Sequence, residues 1–536
     1  MASENETVEP PGDEFKTLDE GNEPGGRRDG FLVASDSFED FARLEEAKSS
    51  IKDRHPSGTI NKIVREGSCE DPPDKQDEIE SVSSGIASMA TEEQNDSAFS
   101  DNGNVAEQVA PTLSASIHEE EELDEVHKPE WKGQKKHVFI LSEAGKPIYS
   151  RYGAEDKLVT IMGVMQALVS FVQDSKDSMR CIISGKHKFV FLTRDHLLLV
   201  AVSCTSSSTP QLLLQLNYVY NQVLSVLTYS HINKIFKQRH NYDLRRLLTG
   251  AEKFFDSLLN LMDHEPGFLL SAVRCLPLPS AVRDVVAQSI VQHAKVKDLV
   301  FAILIANNQL ITLVRMKKYF LHPADLHLIF NLVSASESFK TAESWTPICL
   351  PKFDSGGYLH AHVSYLDDNC AACLLLLTVD RDMFFTLSEC KSKIVERLHR
   401  YNCIEAIREA LTKYTYSISQ VGIPDLRHFM YKSRSTAQFT SPELESPYHT
   451  ASEQERIFGL YQYLHHRMHS TSRPLKILFH VGSYETLLGW VTSGFELYAV
   501  FGPLVTKPTA INSINKLLKW IKKEEDRLFI LNSPTF

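Results

Sequence analysis

After residue 130 the sequence repeats one rhythm three times: a pair of β-patterned runs, a helical pattern, then more β-rich runs. A chain with that rhythm must stack helices on largely antiparallel sheets. Sequential hairpins pair antiparallel, and each apolar helix face needs a sheet to cover it. The first copy opens with "KHVFILSEAGKPIYSRYG" (136–153), two strands around a Ser-Glu-Ala-Gly-Lys-Pro turn. "AEDKLVTIMGVMQALVSFVQD" (154–174) follows, with Leu158, Ile161, Met162, Met165, Leu168, Val169 and Val172 on one helical face. "MRCIISGKHKFVFLTRDHLLLVAVS" (179–203) then supplies three β-rich runs, and helical patterns follow at 211–228 and from His231.

The second copy starts at "DLVFAILIANNQLITLVRMKKY" (298–319), strands around an Asn-Asn turn, followed by a helix at 322–336 with Pro323 in its first turn. Strands at 358–366 and 373–380 and helices at 386–399 and 403–413 complete it. The third reads as strands at 475–482 and 485–504, a helix at 507–526 and a closing strand "RLFIL" at 527–531. The expected fold class is therefore α/β (α+β), in modules spanning 131–280, 290–431 and 450–536, with linkers near 276–290 and 432–450.

Residues 1–130 differ in kind. They carry 34 acidic and 11 basic residues, a net charge of −23, against +11 for the rest of the chain. With little apolar periodicity they are expected to be a disordered acidic regulatory tail, drawn to the oppositely charged body. The polar, acidic first residues do not read as a signal peptide. Nine cysteines without regular spacing fit reduced thiols in the cytosol. Residues 197–230 contain no charged side chain, yet 211–228 holds seven polar ones, so a buried helix is expected there rather than a membrane span.

Familiar chemistry is sparse. Neither Gly145-Lys146 nor Gly185-Lys186 has the upstream glycine and following Ser/Thr of a phosphate loop, and both read as hairpin turns. Cys370 and Cys373 form a single CxxC near His360 and His362, which reads as two strands and a turn rather than zinc ligands. His465 and His469 share a helical face without the glutamate of a metalloprotease and are read as surface residues. No catalytic residue, metal or cofactor is expected. Aromatic and basic residues are not interleaved as nucleic-acid binding would require.

Two features rise above this background. From Leu158 to Gln173 the first helix has no charge, and its far face carries Val159, Gly163, Val164, Ala167 and Phe171. A helix apolar on both sides should be covered on both, by another part of this chain or by a partner protein. The stretch "HINKIFKQRHNYDLRRLLTGAEK" (231–253) concentrates Lys234, Lys237, Arg239, Arg245 and Arg246. It is either a solvated face or a surface for anionic lipid.

The opening hairpin, "HINKIFKQRHNYDLRRLL", "EPGFLLSAVRCLPLP" (265–279) and "GIPDLRHFMYKS" (422–433) closely resemble the SAND family, the vacuolar-fusion proteins called Mon-one. The resemblance covers about 131–536. It implies three longin-type domains and an obligate, similarly built partner of the Ccz-one type. It further implies that the pair is a guanine-nucleotide exchange factor for the late-endosomal GTPase Rab-seven and displaces the early-endosomal GTPase's activator. Such a subunit would be cytosolic, would sit peripherally on phosphoinositide-bearing endosome, vacuole or lysosome membranes, and would drive endosome conversion and fusion. The alternative is a non-catalytic longin-domain trafficking scaffold or tether.

Overall fold

The structure, a computed structural model, describes residues 128–367, 370–413 and 416–536. The expected tail lies outside the described residues as far as 127.

The first module contains β1 (Lys136–Ser142), β2 (Pro147–Ser150), α1 (Val159–Asp174), β3 (Cys181–Ser184), β4 (His187–Arg194), β5 (Leu197–Ser203), α2 (Thr209–Leu227), α3 (Tyr229–Gln238) and α4 (Glu252–His264). Its strands lie in the order β2-β1-β5-β4-β3, every neighbour antiparallel. One face of this sheet packs Phe139, Leu141, Phe191 and Val200 against Met162, Met165 and Val169 of α1. The other face packs Val138, Ile140, Leu199 and Ala201 against α2 and α4. The alternation along β1 is the two-residue period of a strand buried on both sides.

A short strand, β6 (Val273–Arg274), and α5 (Ser280–His293) lead into the second module. That module comprises β7 (Leu299–Ala306), β8 (Gln309–Arg315), α6 (Pro323–Ser334), β9 (Ser344–Leu350), β10 (Asp354–Asp367), β11 (Cys370–Thr378), α7 (Phe384–Arg400) and α8 (Cys403–Thr412). The sheet order, β8-β7-β11-β10-β9, repeats that of the first module. Asn307 and Asn308 take positive φ at the β7–β8 turn, as a tight two-residue hairpin demands.

The third module comprises β12 (Leu426–Ser433), β13 (Gln438–Thr440), α9 (Ala451–Met468), β14 (Ile477–Val481), β15 (Thr486–Val491), β16 (Phe495–Phe501) and α10 (Lys507–Lys523). Read from the opposite edge, its order β14-β15-β16-β12-β13 is the same topology a third time, with β6 added parallel at the β13 edge. The three-module, mainly antiparallel fold packed by helices is the one the sequence rhythm requires.

The boundaries differ from expectation. Strand β12, placed at the end of a second module spanning 290–431, pairs with β16. Strand β13, placed in a linker at 432–450, completes its hairpin, so the third module begins near Tyr416, in its own core, and not at 450. The expected linker at 276–290 is largely α5, with Val286 and Ile290 buried against the second sheet. "RLFIL" is no strand. A helical turn (Glu525–Leu528) ends there, and the main chain of Ile530 bonds the Gln438 side chain.

The modules are locked together by segment 265–279. Val273 and Arg274 pair with β13, and Cys275 bridges to Leu310 of β8, so this segment joins the second and third sheets. The buried Arg283 guanidinium donates to the carbonyls of Ile311, Leu276 and Arg527, tying both modules together. At Gly267 a Cβ would lie 2.8 Å from the Ala272 carbonyl oxygen, so only glycine fits.

Candidate functional site

In each module one helix connects the hairpin to the three-stranded meander: α1, α6 and α9. They meet different surroundings. The outer face of α6 is closed by the first module. Asn331 donates to the Gln222 side chain and to the Phe254 carbonyl at 2.9 and 2.8 Å. Tyr218 donates to Nδ1 of His327, whose Nε2 donates to the Ala272 carbonyl, so the ring is the neutral tautomer. Tyr218 and Gln222 of α2 are thus part of a buried seam. Helix α9 also reaches the first module: Gln211 donates to the Gln462 carbonyl and Lys135 pairs with Glu455.

Helix α1 has no such cover. Leu158, Met162, Met165 and Val169 are buried against the first sheet. The opposite face is open: Val159 is 48% exposed, Val164 40% and Phe171 77%. Gly163 and Ala167 are exposed between them, and a Cβ on Gly163 would meet nothing within 4 Å. The helix begins without a side-chain cap and carries no acid in its first turn and no base in its last. Its outer surface therefore presents an apolar strip with little to hold water. Beside it, Ile161 and Met165 wall a cleft with Trp131, His137 and Phe189. Burial there pushes the His137 imidazole down to about 4.

The basic segment lies near the start of α1. Arg245 pairs with Asp156 at 2.7 Å, in the turn that leads into α1, and this pair, with Asp243 adding, raises the guanidinium's proton affinity. Arg245 and Arg246 also stand 3.8 and 3.9 Å from Asp243. Lys234, Lys237 and Arg239 are exposed and have no ion-pair partner among the described residues. Their helix, α3, buries Ile232 and Phe236 and keeps its cations outward. So three of the five expected basic residues are uncommitted, and Arg245 is engaged within the fold.

Other sequence readings fall elsewhere. Both Gly-Lys pairs stand in hairpin turns with positive-φ glycines. Cys373 is buried in β11, where desolvation pushes its thiol up to about 12; the side chain of Cys370 lies outside the described residues. His362 faces Glu343 at 3.0 Å, and His360 stacks on Trp345. No helix among the described residues is long and apolar enough to cross a membrane.

One reading needs correction. His465 is not a surface residue but only 6% exposed, and His469 is half-buried beside Glu496, itself 1% exposed. The four-residue spacing of the histidines was visible in the sequence. The acid that faces them was not, because it arrives from β16.

Comparison with known proteins agrees with the topology. The family described as "First Longin domain of FUZ, MON1 and HPS1" matches residues 136–258. The second and third longin domains of the same group match 297–396 and 425–525. The chain is 48% identical over 523 residues to a Gallus gallus protein named "Vacuolar fusion protein MON1 homolog A", covering 97% of this chain and 94% of that one. It is 46% identical to "Protein SAND" of Takifugu rubripes, again over 97% and 94%. To "Vacuolar fusion protein MON1 homolog B" of Homo sapiens it is 45% identical over 76% of this chain and 78% of that one.

Proposed function

The chain belongs to the MON1/SAND family of vacuolar fusion proteins with three longin domains, and from that premise we propose that it is one subunit of a Rab guanine-nucleotide exchange factor. Its other subunit is a longin protein of the Ccz-one type, its substrate the late-endosomal GTPase Rab-seven, and its setting the cytosolic surface of maturing endosomes and vacuoles. The observation that carries this reading is the open outer face of α1, where the equivalent helix of the second module is closed by a neighbouring longin module. An occupant of similar build fits that seat.

Exchange needs no catalytic triad. A protein surface that holds the GTPase with its switch regions displaced from phosphate and magnesium is sufficient. By linkage, that surface weakens nucleotide as much as nucleotide weakens it. A thousandfold faster release requires about 4 kcal/mol of differential binding. On this reading Val159, Gly163, Val164, Ala167 and Phe171 contribute to a site completed by the partner. Lys234, Lys237 and Arg239, with Arg246, face anionic phosphoinositide membrane, each worth about 1 kcal/mol near such a surface.

The deciding measurement is release of a fluorescent guanine nucleotide from a panel of Rab proteins. We expect acceleration for Rab-seven with chain and partner together, little with the chain alone, and loss of it with Gly163→Arg or Ala167→Arg at a melting temperature no lower than the parent's. Release at the intrinsic rate for every Rab, despite a stable complex with the partner, would leave the scaffold reading in its place.

A further inference from the structure

The buried cluster at the end of α9 has the donor set of a transition-metal site. His465 and His469 lie four apart on one helical face, and Glu496 approaches from β16. One ligand atom from each lies within 4.8 Å of the other two. The ring nitrogens of His465, though the residue is only 6% exposed, make no hydrogen bond among the described residues. That ring lines a cleft shared with His466, His469, Ser208, Gln211 and Ser470. Those nitrogens are open to the cleft and not sealed in the core, so an ion can reach them from that side.

We propose that His465, His469 and Glu496 bind a divalent metal ion of the zinc class, with a fourth position open to the cleft. Two imidazoles and one carboxylate suit zinc better than magnesium or calcium, which take oxygen ligands. Ligands at about 2.0–2.1 Å around tetrahedral zinc stand about 3.3 Å apart. His469 Nε2 and Glu496 Oε2 are already 3.2 Å apart. Both are also bonded by the Tyr498 hydroxyl, at 3.0 and 3.1 Å. On binding, His469 Nε2 exchanges that hydroxyl for the metal, while Tyr498 keeps its bond to the carboxylate.

The charges facing the site set its affinity. Lys432 holds the other carboxylate oxygen at 3.2 Å, and Arg434 stands 3.8 Å from it. Their hydrogen bonding orients the ligand as outer-shell partners do, while their charge opposes a cation. Burial would raise the Glu496 carboxyl, but the Lys432 charge and the hydrogen bond with His469 outweigh it and keep it ionised. Burial lowers His465 well below the ordinary imidazole range, which His469 reinforces, so the ring is neutral as a metal ligand must be. The cleft's Ser208 and Gln211 belong to the first module, at the start of α2. The ion would therefore anchor α9 where the first and third modules meet, independently of the exchange reading.

The test uses the full chain without a histidine tag. Cobalt(II) should give the visible absorption of a four-coordinate site, and zinc should displace it at one ion per chain and raise the melting temperature. His465→Gln with His469→Gln should abolish both signals, while His399→Ala, at an exposed histidine of the second module, leaves them intact. If cobalt gives only the spectrum of the hydrated ion, or if the double variant binds zinc as tightly as the parent, the site does not exist. A metal-free melt of the double variant matching that of the metal-free parent guards against a folding defect being read as loss of a ligand.

Discussion

Helices α1 and α6 hold the same topological place in two copies of one fold, and their outer faces have opposite fates. On α6, Ala324, His327 and Asn331 are all under 5% exposed, covered by α2 and α4 of the preceding module. On α1, Val159, Val164 and Phe171 face outward. The difference is not one of helix composition alone, since α6 carries two titratable groups, Asp325 and His327, against the single Asp174 of α1. Neighbours decide it. A buried helix can keep polar side chains when each finds a partner, and an exposed one can stay apolar when it is meant to lose water later.

The contrast is most exposed to a charge placed on each helix. Ala324→Asp puts an unpaired carboxylate among the first module's core side chains, where exposure is 4%, and should cost about 4 kcal/mol, abolishing a cooperative melt. Val164→Asp should change stability by no more than about 0.5 kcal/mol. Thermal melts of the two variants compare them directly. Equal destabilisation would mean that α1 is covered in the free chain.

A smaller effect is expected from Asn331→Ala. It leaves Gln222 and the Phe254 carbonyl without their donor, at a cost of about 2 kcal/mol. Ser170→Ala on the open face should be neutral in the same melt. A neutral Asn331→Ala would mean that the seam between modules is not held by this network.

Titration gives a third handle. Burial pushes His327 down to about 3, below its ordinary 6.5, so between those values the unfolded chain binds a proton that the folded one does not. The stability this group supports is full above pH 6.5 and falls by about 1.4 kcal/mol per unit as pH drops below it. Asp325 works the other way, because burial pushes its carboxyl up to about 6, which favours the folded state as pH falls. Only a difference isolates the histidine. The stability gap between the parent and His327→Gln, measured by denaturant unfolding, should narrow from pH 7 to pH 5. A gap constant with pH would place the imidazole proton on both states alike. Helix α1, with no titratable group from Leu158 to Gln173, contributes no such dependence.

These contrasts also explain what could be read from the sequence. The first two hairpins and the apolar halves of α1 were legible because period-2 and period-3.6 patterns survive wherever a sheet buries one side. The third module's first hairpin was not. Lys432, Ser433, Arg434 and Ser435 gave it the polar look of a linker, while in the fold Lys432 is buried against Glu496. The same pairing hid the acid beside His465 and His469, since it comes from a strand 27 residues on from His469. "RLFIL" has strand composition, but its main-chain partner is the Gln438 side chain rather than a strand edge. Composition marked the open face of α1 and the basic segment, but which cations are free depended on Asp156 and Asp243 arriving from elsewhere.

The smallest change separates the two reasons a glycine can stand in a helix. Gly163 sits in the interior of α1, where glycine costs about 0.8–1.0 kcal/mol relative to alanine. At Gly267 no side chain fits, but at Gly163 a Cβ meets open space within 4 Å, so nothing inside this chain requires glycine there. Gly163→Ala should therefore stabilise the first module by up to about 1 kcal/mol, seen as a slightly higher melting temperature. If α1 is a seat for a closely approaching longin partner, the same methyl group should weaken the complex while the free chain gains stability. Calorimetric affinity for the partner, set beside the melt of the free chain, reads the two effects separately. A gain in both would mean that the occupant does not approach the backbone at this position. A loss in both would mean that the outer face of α1 is already packed, as that of α6 is.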